Sequence, residues 1–148
     1  TKMLSNSSKY GIRAMVYLAK HHDGKTSFGI KEISQELDLP TPYLAKIMQL
    51  LARHRILNSV KGPNGGFSLM KKPESVTLYD IVRIIDGEGL FKNCMIHDCT
   101  CSSVRKTRKM CTVHNDYEVI RKQLLTLFKN RTIADLAKSA KESGNILI

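Results

Sequence analysis

Apolar residues recur every three or four positions over the first stretch of the chain. Ile12, Met15, Val16 and Ala19 predict a helix from about Ser7 to His21, closed by Asp23-Gly24. A short second helix is expected over 30–37, with Ile30, Ile33 and Leu37 on one face. Leu39-Pro40 breaks it, because proline disfavours helical geometry in the residue before it. Thr41 reads as an N-cap and Pro42 as the first helical residue of a third helix running to about Arg55. The period then changes. Leu57 to Lys61 and Phe67 to Met70 are short strand candidates around the turn Gly62-Pro63-Asn64-Gly65-Gly66. Thr77 with Asp80 predicts a capping box opening a fourth helix that stops at Gly87. Residues 88–112 lack clean periodicity. A long helix is expected from about Asn115 to Asn130, and Thr132 with Asp135 opens a last one to about Glu142. Residues 144–148 read as a frayed tail.

This order is mainly α with a two-stranded β wing: a winged helix-turn-helix over 3–87, a Cys/His loop over 88–114, then helices over 115–143. Met3 reads as a native start. There is no signal-peptide pattern and no run of 18 apolar residues, so the expectation is a cytoplasmic protein without membrane association.

Within the third helix, Leu44, Ile47, Met48 and Leu51 form one apolar stripe. Pro42, Lys46, Gln49 and Arg53 centre on the opposite face, which is polar and basic, as a helix in the major groove requires. Thr41, Pro42, Tyr43 and Lys46 are expected near base edges, and Arg53 nearer phosphates. Lys61, Asn64 and Gly65 belong to a wing suited to a minor groove. Charge agrees with this reading. Twenty-four Lys and Arg against thirteen Asp and Glu give +11, which attracts polyanions such as double-stranded DNA. The glycine loop lacks the Walker spacing, and neither a Cys-x-x-Cys motif nor a paired-carboxylate site is present, so an enzyme is not expected.

All four cysteines fall between 94 and 111, in the run Cys94-Met-Ile-His97-Asp-Cys99-Thr-Cys101 and the group Cys111-Thr-Val-His114. Clustered thiols with nearby imidazoles point to a metal or redox site rather than a disulfide framework. Arg105, Lys106, Arg108 and Lys109 favour thiolate over thiol. Three chemistries are open: an iron–sulfur cluster (2Fe-2S or 4Fe-4S), a zinc ion, or free thiols that sense oxidants. The candidate ligands are Cys94, Cys99, Cys101, Cys111 and His114, with His97 read as loop decoration. In the long helix, Val113, Tyr117, Ile120, Leu124 and Leu127 alternate steps of four and three. That seam suits the same helix of a second subunit, hence a homodimer on a pseudo-palindromic operator.

The segments Ser8-Lys9-Tyr10-Gly11-Ile12-Arg13-Ala14-Met15, Glu32-Ile33-Ser34, Tyr43-Leu44 and Val60 to Phe67 together resemble the Rrf-two family of bacterial regulators, the IscR, NsrR and CymR type. The likeness spans Met3 to Ala140. It implies a dimeric transcription factor in which the helix at Thr41 is the recognition helix and Lys61 belongs to the wing. It also implies a cluster held by cysteines, with Cys111-x-x-His114 matching the last cysteine and the histidine of the family's ligand motif. Three features depart from that pattern. Ala45-Lys46 stands where IscR has a Glu-Gln pair, so operator preference is not transferable. The cysteine gaps here are four, one and nine residues rather than even, which leaves Cys99 and Cys101 as alternative middle ligands. Lys9 occupies the place from which NsrR draws an acidic ligand.

Overall fold

The computed structural model describes residues 3–100 and 111–144. Cys101, the basic stretch from Arg105 to Lys109 and nearly all of the expected tail lie outside the described residues.

Helix α1 (Asn6–Lys20) is the central element, burying Ala14, Met15, Tyr17 and Leu18. Ser5 caps it, accepting the Ser8 N–H, and itself bonds to Asp86 at the end of α4. Helices α2 (Ile30–Leu37) and α3 (Thr41–Arg53) pack on it and on each other. Helix α4 (Leu78–Asp86) closes over α1 at Gly11. A Cβ there would lie 2.5 Å from Ile85 Cδ1 and 3.3 Å from Ile47 Cγ2, so glycine leaves room for the Ile85 side chain, which would otherwise have to shift.

The start of α3 differs from expectation. Pro40 occupies the N-cap, and Thr41 and Pro42 are already helical. Instead of capping, the Thr41 hydroxyl meets Ser34 Oγ at 2.8 Å. Since Ser34 donates its own hydrogen to the Lys31 carbonyl, Thr41 is the donor, and the bond pins the turn between α2 and α3. The helix also ends two residues early. Arg55 adopts a left-handed conformation (φ 57°), and Ile56 N–H bonds back to the Leu51 carbonyl. This reversal carries Ile56 and Leu57 into the core.

Strands β1 (Leu57–Val60) and β2 (Gly66–Leu69) pair antiparallel with Leu57 opposite Leu69 and Val60 opposite Gly66. Phe28, ahead of α2, adds a third rung by exchanging two backbone bonds with Phe67, at 2.9 and 2.8 Å. A Cβ on Gly66 (φ 153°) would sit 2.3 Å from the Phe28 carbonyl oxygen, so this rung requires glycine.

A four-residue helix, α5 (Gly89–Lys92), follows α4 and was not legible as a period. It seats Phe91 against Phe128 and Val82 in a second apolar cluster, which joins α4, α5 and the long helix α6 (His114–Asn130). Helix α7 (Ile133–Ser143) turns back onto α1, and its Ile133 is fully buried in the first core. The last helix thus braces the N-terminal half rather than extending the long helix. Both predicted capping boxes form, at Thr77/Asp80 and Thr132/Asp135, and a backbone bridge sets the two side by side. Thr132→Ala is expected to cost about 1 kcal/mol, measured by urea denaturation. The backbone N–H and then the hydroxyl of Thr132 hold the Asp135 carboxyl below its usual range. A lowered folded pKa stabilises above the unfolded value of about 4 and ceases to do so as pH falls through the folded one. The melting curves of wild type and Asp135→Asn should therefore converge in acid.

Candidate nucleic-acid interface and metal centre

Helix α3 is divided by its packing. Leu44, Ile47, Met48 and Leu51 face inward, with Leu44, Met48 and Leu51 wholly buried, while Pro42, Tyr43, Lys46, Gln49 and Arg53 are exposed. Thr41, expected among the base-edge residues, is half-buried with its hydroxyl engaged by Ser34. Tyr43 stands outward at the first turn with Tyr10 of α1 edge-on to its ring, centroids 6.1 Å apart. An exposed aromatic so supported presents a firm apolar surface beside the cation of Lys46.

The wing carries Lys61, Gly62, Pro63 and Asn64 in the open, with Lys71 and Lys72 exposed just after β2. Gly65 is half-buried and donates to the Gly62 carbonyl at 2.9 Å. A Cβ on it would fall 2.2 Å from the Val60 carbonyl oxygen, so this glycine serves the turn itself. Among the described residues no helix is long and apolar enough to cross a membrane.

The cysteine region is shaped by local backbone bonds. Asn93 bridges Thr100, Cys94 N–H donates to the Cys99 carbonyl at 2.8 Å, and Cys99 N–H donates to the His97 carbonyl at 2.8 Å. The resulting small loop places Cys94 Sγ 3.5 Å from His97 Nδ1. With Cys111 Sγ, the three ligand atoms all lie within 4.8 Å of one another. Backbone N–H groups of Ile96 and His97, then the His97 ring and the Cys111 thiol, hold the Cys94 thiol down to about 6. At neutral pH it is therefore mainly thiolate, the form that ligates metal.

Two thiols and an imidazole are a donor set that both zinc and iron accept, so the residues fit a thiolate-bound metal group. Of the expected ligands, Cys94 and Cys111 are brought together, and Cys101 lies outside the described residues. Cys99 contributes its backbone to the loop but is not one of the convergent trio. His114 is buried in the first turn of α6, its Nε2 facing the Glu118 carboxylate across 3.2 Å, and it is likewise outside the trio. The imidazole that does converge is His97, which sequence reasoning set aside. One signal could have raised it: Cys94-x-x-His97 repeats the spacing of Cys111-x-x-His114.

On α6, the expected seam is split. Tyr117 and Leu124 are half-buried, and Leu124 packs in the second apolar cluster. Ile120 and Leu127, with Val119, stand in solvent at 60, 51 and 58% exposure. The inner face is occupied by His114, Arg121 and Phe128, so the helix carries one apolar face turned inward and a second left uncovered within the subunit.

Comparison with known proteins agrees with this architecture. Residues 4–139 match the profile of the Rrf2 family, described as "Iron-dependent Transcriptional regulator". A protein of Aquifex aeolicus assigned as an HTH-type transcriptional regulator is 34% identical over 134 residues, covering 90% of each chain. The HTH-type transcriptional regulator CymR of Bacillus subtilis is 34% identical over 85 residues, which are 57% of this chain and 60% of CymR. Among solved structures, CymR, the global cysteine regulator of B. subtilis, superposes with a TM-score of 0.73 at 25% identity, covering 92% of this chain and 96% of CymR. IscR of T. potens gives 0.71 at 25% identity, covering 97% of this chain and 90% of IscR. These relatives are regulators rather than enzymes. From its winged helix through the helix that returns to α1, the chain belongs to the Rrf2 family of DNA-binding transcriptional regulators.

Proposed function

We propose that the protein is a sequence-specific, dimeric regulator that reads a pseudo-palindromic operator and answers to a metal centre built on Cys94 and Cys111. In this reading residues 3–87 bind DNA, 88–114 form the ligand loop, and α6 supplies the subunit contact. The observation that carries it is the division of α3: four apolar side chains anchor the helix, and Tyr43, Lys46, Gln49 and Arg53 are exposed on its opposite side. Tyr43, Lys46 and Gln49 read bases, while Arg53 and Lys61 neutralise phosphates, with Asn64 and Gly65 shaping the wing beside them.

The centre supplies the signal. An iron–sulfur cluster is the group favoured by the family's iron dependence, and zinc is the other group these donors accept. The loop that would hold it is fastened on two sides. Tyr79 of α4 donates to Glu88 at 2.5 Å, and Glu88 pairs with Lys92 of α5, two residues before Cys94. Arg121 of α6, buried, reaches the Lys92 and Asn93 carbonyls at 3.5 and 3.4 Å. Filling or emptying the centre thereby bears on both the DNA-binding half and α6. Coupling of about 1–3 kcal/mol suffices to change operator occupancy five-fold or more.

The test uses duplexes enriched from a random pool with the native protein. Lys46→Ala is expected to weaken binding to the enriched site by about 1–3 kcal/mol while leaving random duplex nearly unaffected. Equal losses on both would remove Lys46 from base reading. Affinity that does not fall steeply with salt would overturn DNA binding by this face altogether. Cys94→Ala with Cys111→Ala should abolish the bound metal and shift operator affinity at least five-fold; unchanged affinity sinks the metal-responsive part.

A further inference from the structure

We infer that Tyr43 reads the 5-methyl group of a thymine in the operator, and that Tyr10 of α1 is its positioning residue. The inference deepens the DNA-reading part of the proposal above and rests on it; the cysteine loop plays no part in it.

Tyr43 is placed unlike the other large apolar side chains of its helix. Leu44, Ile47, Met48 and Leu51 are buried and Leu50 is half-buried, whereas Tyr43 is 53% exposed. It lies in the first turn of α3, the part of a recognition helix that reaches base edges. Three residues before Lys46, it stands about 60° from it around the helix axis, so ring and ammonium belong to one side of the helix.

The ring is also held. Tyr10 meets it edge-on, with centroids 6.1 Å apart and planes at 81°, the T-shaped arrangement that aromatic quadrupoles favour. Tyr10 itself is half-buried and packs against the main core, so the support is anchored. The backbone beneath Tyr43 is fixed as well. Pro40 occupies the N-cap, Pro42 brings its locked φ, and the Thr41 hydroxyl is tied to Ser34. Little freedom is left to lose on binding.

A duplex supplies one feature that matches such a surface. Base edges in the major groove present donors and acceptors, and the 5-methyl group of thymine is the apolar exception. A firm apolar ring gains by covering that methyl. Against hydrogen-bonding atoms it would only displace water without replacing the bonds. The other use of this side chain is a hydroxyl bonded to a phosphate, which carries no sequence information.

Uracil in place of thymine removes the methyl and nothing else. Thymines of the enriched duplex are replaced one at a time, and affinity is measured by anisotropy. At one thymine of a half-site, wild type should bind the uracil duplex about four-fold more weakly, the worth of one buried methyl group. Tyr43→Ala should bind more weakly and no longer distinguish the two duplexes, while Tyr43→Phe should still distinguish them. Tyr10→Leu should pull the thymine-to-uracil ratio toward one, and Tyr10→Phe should restore it. The ratio compares two duplexes on one protein sample, so a variant that only folds less well leaves it unchanged. Wild type indifferent to uracil at every thymine overturns the inference, as does a methyl effect that survives in Tyr43→Ala. Equal loss on both duplexes in Tyr43→Phe, with no uracil effect in wild type, marks a phosphate contact and overturns it too. A ratio unchanged in Tyr10→Leu overturns the role of Tyr10. In each of these cases preference for the enriched site over random duplex persists, and DNA reading by α3 stands. Absence of that preference in wild type would defeat both.

Discussion

Ile120→Glu combined with Leu127→Glu is expected to turn the protein into a folded monomer whose operator affinity is at least about 100-fold weaker. Both side chains stand in solvent on α6, more than half exposed, together with Val119. The remainder of that helix is already committed, since His114, Arg121 and Phe128 pack inward. Glutamate at 120 and 127 therefore removes no buried side chain from the subunit's core, and the melting temperature should move little. In the proposed dimer the same two positions would lie in an apolar seam, where carboxylates facing carboxylates would be desolvated and repel. Losing the second subunit makes binding of the second half-site an independent event, and linkage of that kind is worth 10²–10⁴ in affinity. Light scattering after size exclusion gives the mass, and anisotropy on the enriched duplex gives the affinity. A variant that stays dimeric and binds as wild type would move the subunit contact elsewhere.

Choosing Ile120 and Leu127 rather than Tyr117 and Leu124 depends on the structure. The steps of four and three along α6 mark an apolar seam but do not say which neighbour covers it. In three dimensions Leu124 is drawn toward Phe91 and Phe128, and only the other half of the seam is free. Local chemistry was the legible part. The apolar stripe of α3, the Thr-x-x-Asp boxes and the glycine turn of the wing are each written in a few adjacent residues, and each formed. What escaped were features set by distant partners. Phe28 gains its rung from Phe67, thirty-nine positions away, and Arg55 takes a left-handed conformation because Ile56 and Leu57 must enter the core. The two Cys-x-x-His groups look alike in sequence. One imidazole falls on a solvent-facing loop beside both thiols, the other on the buried face of a helix, and only their surroundings distinguish them.

Leu51→Ala should strongly destabilise the protein, and it separates packing from recognition. Leu51 is wholly buried beneath the helix, one turn after Met48 and Ile47, in the cluster shared with α1 and β1. Removing its branched end leaves a cavity that close-packed neighbours fill only in part, and such changes cost about 2–5 kcal/mol. Against a total stability of about 5–15 kcal/mol this is a large fraction, lowering the melting temperature by roughly 5–20 °C. Lys46, five residues earlier on the opposite face, should behave in reverse. Lys46→Ala keeps the melting temperature and loses affinity, whereas Leu51→Ala loses stability and, in the fraction still folded at low temperature, keeps affinity for the enriched duplex within a few-fold. Urea denaturation and anisotropy on the same two proteins make the comparison. If Leu51→Ala cost less than about 0.5 kcal/mol, the magnitude of a surface change, the helix would not be anchored by that stripe. The outward direction of Lys46 and Gln49, and with it the groove-reading face, would then have no support.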